Sequence, residues 1–178
     1  MGMNTAKVGV IGVGNVLMGD DAAGPFAIKM LKALCVIPEQ VALVDGGTAG
    51  LALPGLMDGY ESVIVVDTVH AEGPSGAVFR YDQATLLAAP CAQSITPHDS
   101  GLLDALLLSD LTGDGPREVV LIGIVPDQTV AGIGLSPAVR NAMGGLVDAV
   151  VAELARLGVP MARRETPLDP DLWWERSP

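Results

Sequence analysis

Short runs of β-branched residues alternate along this chain with segments of helical periodicity, and that alternation limits the possible folds. The run Lys7–Gly12 (KVGVIG) is bounded by glycine, and 63–66 (VIVV) is apolar on both faces. Between them, Phe26, Met30 and Leu34 follow one another at helical spacing. Strands that are apolar on both faces and separated by helices are typical of a largely parallel sheet.

The same patterns, read along the whole chain, predict an α/β fold. We expect a three-layer sandwich with a twisted, largely parallel sheet of about five strands and helices on both faces. No linker or repeat divides the sequence, so residues 1–178 are predicted to form a single domain. The predicted strands are 7–12, 41–44, 63–66, 77–81 (at an edge) and 119–124, and the predicted helices are 25–34, 49–58, one beginning near 96–99, and 136–157.

Charge and composition exclude several classes of partner. The net charge is −11, and no cluster of Lys or Arg is present, so nucleic acid and anionic membranes are poor partners. No apolar run is long enough to span a bilayer, and no segment resembles a signal peptide. Cys35 and Cys91 form no motif and are predicted to be small buried or half-buried residues in a reducing compartment. By default we expect a cytoplasmic protein, and we expect it to be a monomer.

A glycine-rich loop follows the first strand but departs from a dinucleotide-binding loop. The fingerprint requires a third glycine where this chain has Leu17. Asp20 and Asp21 come next, and each would repel a nearby phosphate by about 1 kcal/mol or more. Asp45 alone resembles a ribose-binding acid. The glycines of 12–14 are better explained by a tight turn.

Three polar side chains are predicted to converge at one end of the sheet. Asp21 follows the first strand, Asp67 ends the third predicted strand, and His98 lies in the first turn of a later helix. If the first and third predicted strands are neighbours, all three groups lie at the carboxyl edge, where ligands bind in parallel sheets. Two carboxylates and one imidazole suit a first-row transition metal and leave coordination positions open for a substrate.

Each of these residues also has a purely structural interpretation. Asp20 or Asp21 could cap a helix, which would contribute about 1 kcal/mol. Asp67 could be a turn residue, and His98 could be exposed at a helix start. His70, three residues after Asp67, is a reserve ligand. The joint placement of the three groups favours the functional interpretation.

Six short segments in the same order resemble the hydrogenase maturation endopeptidases, and the resemblance extends over most of the chain. The glycine-rich loop carries the family's G-x-G-N-x-L-x-x-D-[DE] pattern, and the later segments resemble its D-G-G-T-x-G loop, its third-strand aspartate and its [ST]-P-H turn. One departure is a proline at position 25, which predicts a first helix that starts late or has a distorted first turn. The matching segments are Gly12–Asp21, Asp45–Gly50, Val65–Asp67, Ser94–His98, Ile124–Pro126 and Gly134–Pro137.

The resemblance implies an aspartyl-type endopeptidase that removes a C-terminal extension from the large-subunit precursor of a nickel–iron hydrogenase. By resemblance, Asp21, Asp67 and His98 are the catalytic and metal-contacting residues. The nickel would belong to the substrate and serve as the recognition signal, and the protease would not hold it tightly at rest. A site with one histidine and no thiolate agrees with weak metal binding.

The mechanism we expect is that these three residues dock on the substrate's nickel and align the scissile peptide. Hydrolysis would then use a metal-polarised carbonyl or a metal-bound water. The chain shows no convincing Ser or Cys nucleophile, since Gly73–Gly76 is one residue short of the G-x-S-x-G elbow. Loop 45–48 would admit the extended substrate tail. Two alternatives are a non-catalytic nickel-sensing or metallochaperone module and a general metallo-aminopeptidase.

Overall fold

The computed structural model describes residues 6–88, 99–112 and 115–176, and a five-stranded sheet lies at its centre. The strands are β1 (Val8–Val13), β2 (Cys35–Val36), β3 (Val41–Gly47), β4 (Ser62–Thr68), β5 (Val78–Asp82), β6 (Glu118–Ile124) and β7 (Ala162–Arg163). In the main sheet β3, β1, β4 and β6 are parallel and lie in that order, and β5 pairs antiparallel with β6 at the edge. A separate antiparallel pair joins β2 to β7.

The helices cover both faces of this sheet, which confirms the predicted α/β class. Short 3-10 turns at Gly19–Ala22 and Gly50–Ala52 lead into the first two helices, and a third one lies at Trp173–Glu175. Within the described residues, no helix is both long enough and apolar enough to cross a membrane. The helices are α1 (Ala23–Leu34), α2 (Leu53–Met57), α3 (Gln83–Ala88), α4 (Asp99–Thr112) and α5 (Pro137–Arg156).

Alternate residues of each parallel strand supply two aliphatic cores on opposite faces of the sheet. Val10, Ile64 and Ile122 pack with α1 and α5, whereas Ile11 and Val65 pack with α2 and α4. All five side chains are almost fully buried. Because the period of a strand is two, apolar residues on both faces bury the central strands completely. The sequence pattern of continuous β-branched runs has this physical origin.

Helix α1 lies unusually close to the backbone of the sheet at its N-terminal end. A Cβ atom on Gly24 would lie 2.1 Å from the carbonyl oxygen of Val13 and 2.5 Å from that of Val66. Only glycine permits this approach. Pro25 is in the first turn of α1, where an N–H has no partner within the helix. The helix therefore begins at Ala23, two residues before the predicted start, despite the proline.

A buried carboxylate connects α5 to the edge strand β5. Glu153 is only 5% exposed, and Arg80 binds it in a bidentate manner with N···O distances of 2.8 and 3.1 Å. Arg156 donates to the same carboxylate at 2.7 Å. Burial alone would raise the pKa of Glu153, but the two guanidinium groups outweigh it and hold the pKa below its ordinary value. The pairing fixes the last strand of the sheet against α5.

The C-terminal segment packs partly onto the rest of the fold. Trp174 is 4% exposed and contacts Phe26 edge-to-face, with ring centroids 6.5 Å apart. Trp173 stays 58% exposed.

Cys35 is buried and carries a free thiol, as predicted, and burial raises its pKa. Cys91 lies outside the described residues.

Candidate active site at the carboxyl edge of the sheet

The strand order places a topological switch between β1 and β4. The chain leaves β1 to form β3 on one side, and it then crosses to β4 on the other side of β1. At such a switch the loops diverge and leave a crevice beyond the carboxyl ends of the strands. Asp21 lies in the loop after β1, and Asp67 lies at the end of β4. The predicted neighbourhood of the first strand and the Asp67 strand is confirmed.

Asp21 and Asp67 are both buried, and one residue hydrogen bonds to both of them. The backbone N–H of Thr68 donates to Asp67 Oδ1 at 2.8 Å, and the Thr68 hydroxyl donates to Asp21 Oδ1 at 3.4 Å. The N–H of Asn15 donates to Asp21 Oδ2 at 2.9 Å. Asp21 is 7% exposed and Asp67 is 1% exposed. The structure thus brings two of the three predicted site residues to one crevice.

Asp20 has a different environment from Asp21, although the two are adjacent in sequence. Its fully buried carboxylate accepts three backbone N–H groups, from Asp127 at 2.9 Å, Gln128 at 3.0 Å and Ser136 at 2.6 Å. The N-cap residue of α1 is Ala22, so neither Asp20 nor Asp21 occupies the capping position of that helix. Asp20 instead fixes the loop between β6 and α5 against the Asp21 loop. Asp20 therefore anchors these two loops to each other.

His98, the third predicted site residue, lies outside the described residues, as do Thr96 and Pro97. Helix α4 begins immediately after it, at Asp99. A Cβ atom on Gly101 would lie 2.3 Å from the carbonyl oxygen of Gly50, so the first turn of α4 packs against the loop after β3. This contact places the start of α4 near the carboxyl edge.

Metal-binding geometry is incomplete within the described part of the chain. No group of three His, Cys, Asp or Glu residues there is arranged to hold a metal ion. His70, the reserve ligand, is exposed and lines a shallow cavity of about 370 Å³ with Glu72 and Pro126. Of the three predicted ligands, the described residues thus include two, the buried carboxylates of Asp21 and Asp67.

Close packing explains the glycines of the loop after β1 without a nucleotide. A Cβ atom on Gly12 would lie 2.3 Å from the carbonyl oxygen of Gly24, and one on Gly14 would lie 1.8 Å from that of Asp21. Gly14 also has a φ of 143°, which favours glycine. Asp45 is exposed and accepts the N–H of Gly47 at 3.2 Å, as in an Asx-turn.

Comparison with known proteins assigns a class to this arrangement. A model of the hydrogenase maturation protease family matches residues 26–153. The hydrogenase 2 maturation protease of Escherichia coli is 31% identical over 159 residues, which cover 89% of this chain and 97% of the relative. The hydrogenase expression/formation protein HupD of Bradyrhizobium diazoefficiens is 30% identical over 165 residues, covering 91% of this chain and 85% of the relative.

Solved structures agree with the sequence matches. The hydrogenase maturating endopeptidase HybD from E. coli superposes with a TM-score of 0.78 at 30% identity, covering 89% of this chain and 98% of that one. The [NiFe] hydrogenase maturation protease HybD from Thermococcus kodakarensis has a TM-score of 0.67 at 25% identity, with 84% and 99% covered.

The α/β fold and these matches define an endopeptidase, which is a hydrolase of peptide bonds. More specifically, this chain belongs to the hydrogenase maturation protease family. The resemblance seen in six short segments is thereby confirmed over most of the chain. A catalytic role also replaces the alternative of a non-catalytic binding module.

Proposed function

We propose that this chain removes the C-terminal extension of a nickel–iron hydrogenase large-subunit precursor after nickel insertion. Asp21, Asp67 and His98 would contact the nickel held by that substrate. The observation that carries the proposal is the pair of buried carboxylates that meet Thr68 at the switch between β1 and β4. The similar protease from Thermococcus is a [NiFe] hydrogenase maturation protease, which supports the choice of metal.

The fixed orientation of Asp21 and Asp67 supports a role in metal contact. Both carboxylates are buried, and hydrogen bonds offset the cost of burying them. Each of these two carboxylates keeps Oδ1 in a hydrogen bond with Thr68, an arrangement that holds ligand side chains at fixed orientation. Mixed oxygen and imidazole ligands bind divalent nickel less tightly than thiolate sets do. Such a site would bind the substrate's nickel transiently and would not retain it.

His98 completes the proposed ligand set. It precedes Asp99 in sequence, and the first turn of α4 packs against Gly50 at the carboxyl edge. Asp67 shares its side of the sheet with Val63 and Val65, which pack in the core that includes Leu102 and Leu106 of α4. The same face of the sheet therefore carries Asp67 and the helix that follows His98, which supports their convergence.

In the proposed reaction the three residues orient the precursor, and water is added across one peptide bond. The substrate's nickel would act as a Lewis acid that polarises the carbonyl or activates the water. The water oxygen bonds to the carbonyl carbon, the C–N bond breaks, and the released protons are shared between the new carboxylate and the new amine. Asp21, Asp67 and His98 hold the reacting groups in the orientation that the reaction requires, which raises their effective concentration. We propose that the chain works in this way as a cytoplasmic monomer.

The direct test is to incubate the purified nickel-loaded precursor with the chain and measure intact masses. We expect the precursor to lose the mass of its C-terminal extension. Asp21→Asn and His98→Ala should each slow this loss about 100-fold or more, because each removes a positioned group. Asp58→Asn, an exposed aspartate after α2, is the matched control and should retain the wild-type rate. Cleavage by His98→Ala at the wild-type rate would contradict the proposed ligand set.

A further inference from the structure

Three exposed aliphatic side chains lie on the two loops that flank the Asp21 carboxylate. Leu17 is 57% exposed, and Val130 and Ile133 are each 59% exposed. We call these three residues the apolar patch. All of residues 128–133 are exposed, and none of them carries a charge. In a chain with a net charge of −11, an uncharged exposed loop with large aliphatic side chains is typical of a contact surface for another protein.

The backbone beneath the apolar patch is held firmly by hydrogen bonds between the two loops. The N–H of Gly132 donates to the carbonyl oxygen of Leu17 at 2.9 Å, and the N–H of Gly19 donates to the carbonyl oxygen of Gly132 at 2.9 Å. The N–H of Asp20 donates to the carbonyl oxygen of Gln128 at 3.0 Å, next to the three bonds accepted by the Asp20 carboxylate. The patch is therefore preorganised, and little ordering entropy is lost when a partner binds.

The apolar patch lies on the loop that carries Asp21 and on the loop bonded to it. Leu17 is four residues before Asp21, and Asn15 on the same loop donates its N–H to the Asp21 carboxylate at 2.9 Å. Val130 and Ile133 belong to the loop that Asp20 holds against this one. A protein that presents a metal centre to Asp21 would approach the same two loops that carry the patch.

We propose that the apolar patch is the docking surface for the folded body of the hydrogenase precursor, which binds through an aliphatic patch of its own. This inference rests on the proposed function. A second copy of this chain is disfavoured as the occupant, because two copies with a net charge of −11 repel each other. Self-association through this loop would also cover the crevice in which the substrate is cleaved.

The test compares the triple variant Leu17→Ser, Val130→Ser, Ile133→Ser with the wild-type chain in precursor cleavage. We expect KM to rise about 30-fold or more with kcat nearly unchanged, since docking contacts stabilise the bound precursor and its transition state equally. A surface substitution of this kind should leave the thermal unfolding curve unchanged, which excludes misfolding as the cause.

Matched controls come from exposed aliphatic side chains away from the site. Val36, in β2 after the far end of α1, is 51% exposed, and Leu111, near the end of α4, is 85% exposed. Val36→Ser and Leu111→Ser should leave KM unchanged. An unchanged KM in the triple variant, with the wild-type chain cleaving normally, would overturn the docking surface and leave the proposed function intact.

Equilibrium binding separates the two proposals when the wild-type chain does not cleave the precursor. Retained binding of the precursor, lost in the triple variant, would still support the docking surface although the proposed function had failed. Absence of precursor binding by the wild-type chain would overturn the proposed docking surface. Sedimentation of the chain alone tests the remaining occupant: a wild-type dimer that the triple variant abolishes would assign the patch to self-association and contradict the proposal.

Discussion

Asp20 has three backbone donors on its carboxylate, and Asp20→Asn changes that arrangement with almost no change in shape. The donors are the N–H groups of Asp127 and Gln128 on Oδ2 and of Ser136 on Oδ1. However the new amide is turned, its NH2 group faces at least one of these N–H groups. In the least damaging orientation the amide oxygen keeps the first two bonds and the N–H of Ser136 is left without an acceptor.

The expected loss follows from the burial of these donors. Ser136 is 3% exposed, so an unpaired N–H there costs about 1–3 kcal/mol, and the lost charge on the other two bonds adds about 1 kcal/mol. Asp127 and Gln128 are exposed, and water can therefore replace part of their bonding. We expect Asp20→Asn to lower the free energy of unfolding by about 2–4 kcal/mol.

Urea unfolding followed by far-UV circular dichroism measures this difference, with the slope m checked for equality between variants. The control is Asp58→Asn, an exposed aspartate, which should stay within about 0.5 kcal/mol of the wild-type chain. A loss below about 0.5 kcal/mol in Asp20→Asn would refute the anchoring role assigned to this carboxylate.

Further variants test the close packing of α1, the acid stability of the fold and the hydrogen bond that positions Asp21. Gly24→Ala should destabilise the chain by about 3 kcal/mol or more, because the new Cβ would lie 2.1 Å from a carbonyl oxygen. Gly144→Ala in α5 places its Cβ in open space and should stabilise the chain by about 0.5–1 kcal/mol. Urea unfolding measures both differences. Because the folded state lowers the pKa of Glu153, its ion pairs stabilise the fold above its unfolded-state pKa of about 4.5. This stabilisation is lost as the pH falls through the folded-state pKa. Glu153→Gln should therefore flatten the decline in melting temperature below about pH 5. Thr68→Val removes the hydroxyl next to Asp21 and should slow precursor cleavage about 10-fold, with a loss of about 1 kcal/mol in the free energy of unfolding because a buried hydrogen bond is lost. Thr68→Ser keeps the hydroxyl and should keep most of the activity. Equal cleavage rates for the two variants would contradict the positioning role.

The sheet could be predicted from the sequence because its signals are local. The central β-branched runs, such as 63–66, are short, apolar and bounded by turn residues. Four of the five strands of the main sheet begin and end within two residues of their predicted bounds, and β3 ends three residues later than predicted, at Gly47. The two-residue strands β2 and β7 were not predicted, since their pairing joins positions over 120 residues apart and leaves no local pattern. The early start of α1 also depends on tertiary packing, at Gly24.

The site could be predicted only in part. The placement of Asp21 and Asp67 at the carboxyl edge could be predicted because strand ends and motif spacing are visible along the chain. The separate role of Asp20 was not, because its acceptor bonds reach residues 107 to 116 positions away. Thr68 was missed for the same reason, since its hydroxyl reaches back 47 positions to Asp21. The motif segments Ile124–Pro126 and Gly134–Pro137 flank the loop that Asp20 fixes, and they were the available signal.

The central claim, that the carboxylates at the carboxyl edge contact nickel in the substrate, is tested most directly by the nickel dependence of cleavage. Initial rates are measured by intact mass for nickel-loaded and nickel-free precursor, with the wild-type chain, Asp67→Asn and the exposed control Asp169→Asn. We predict rapid cleavage of the nickel-loaded precursor alone, retained by Asp169→Asn and slowed about 100-fold or more by Asp67→Asn. Equal rates on both precursors, or a wild-type rate for Asp67→Asn, would contradict the claim.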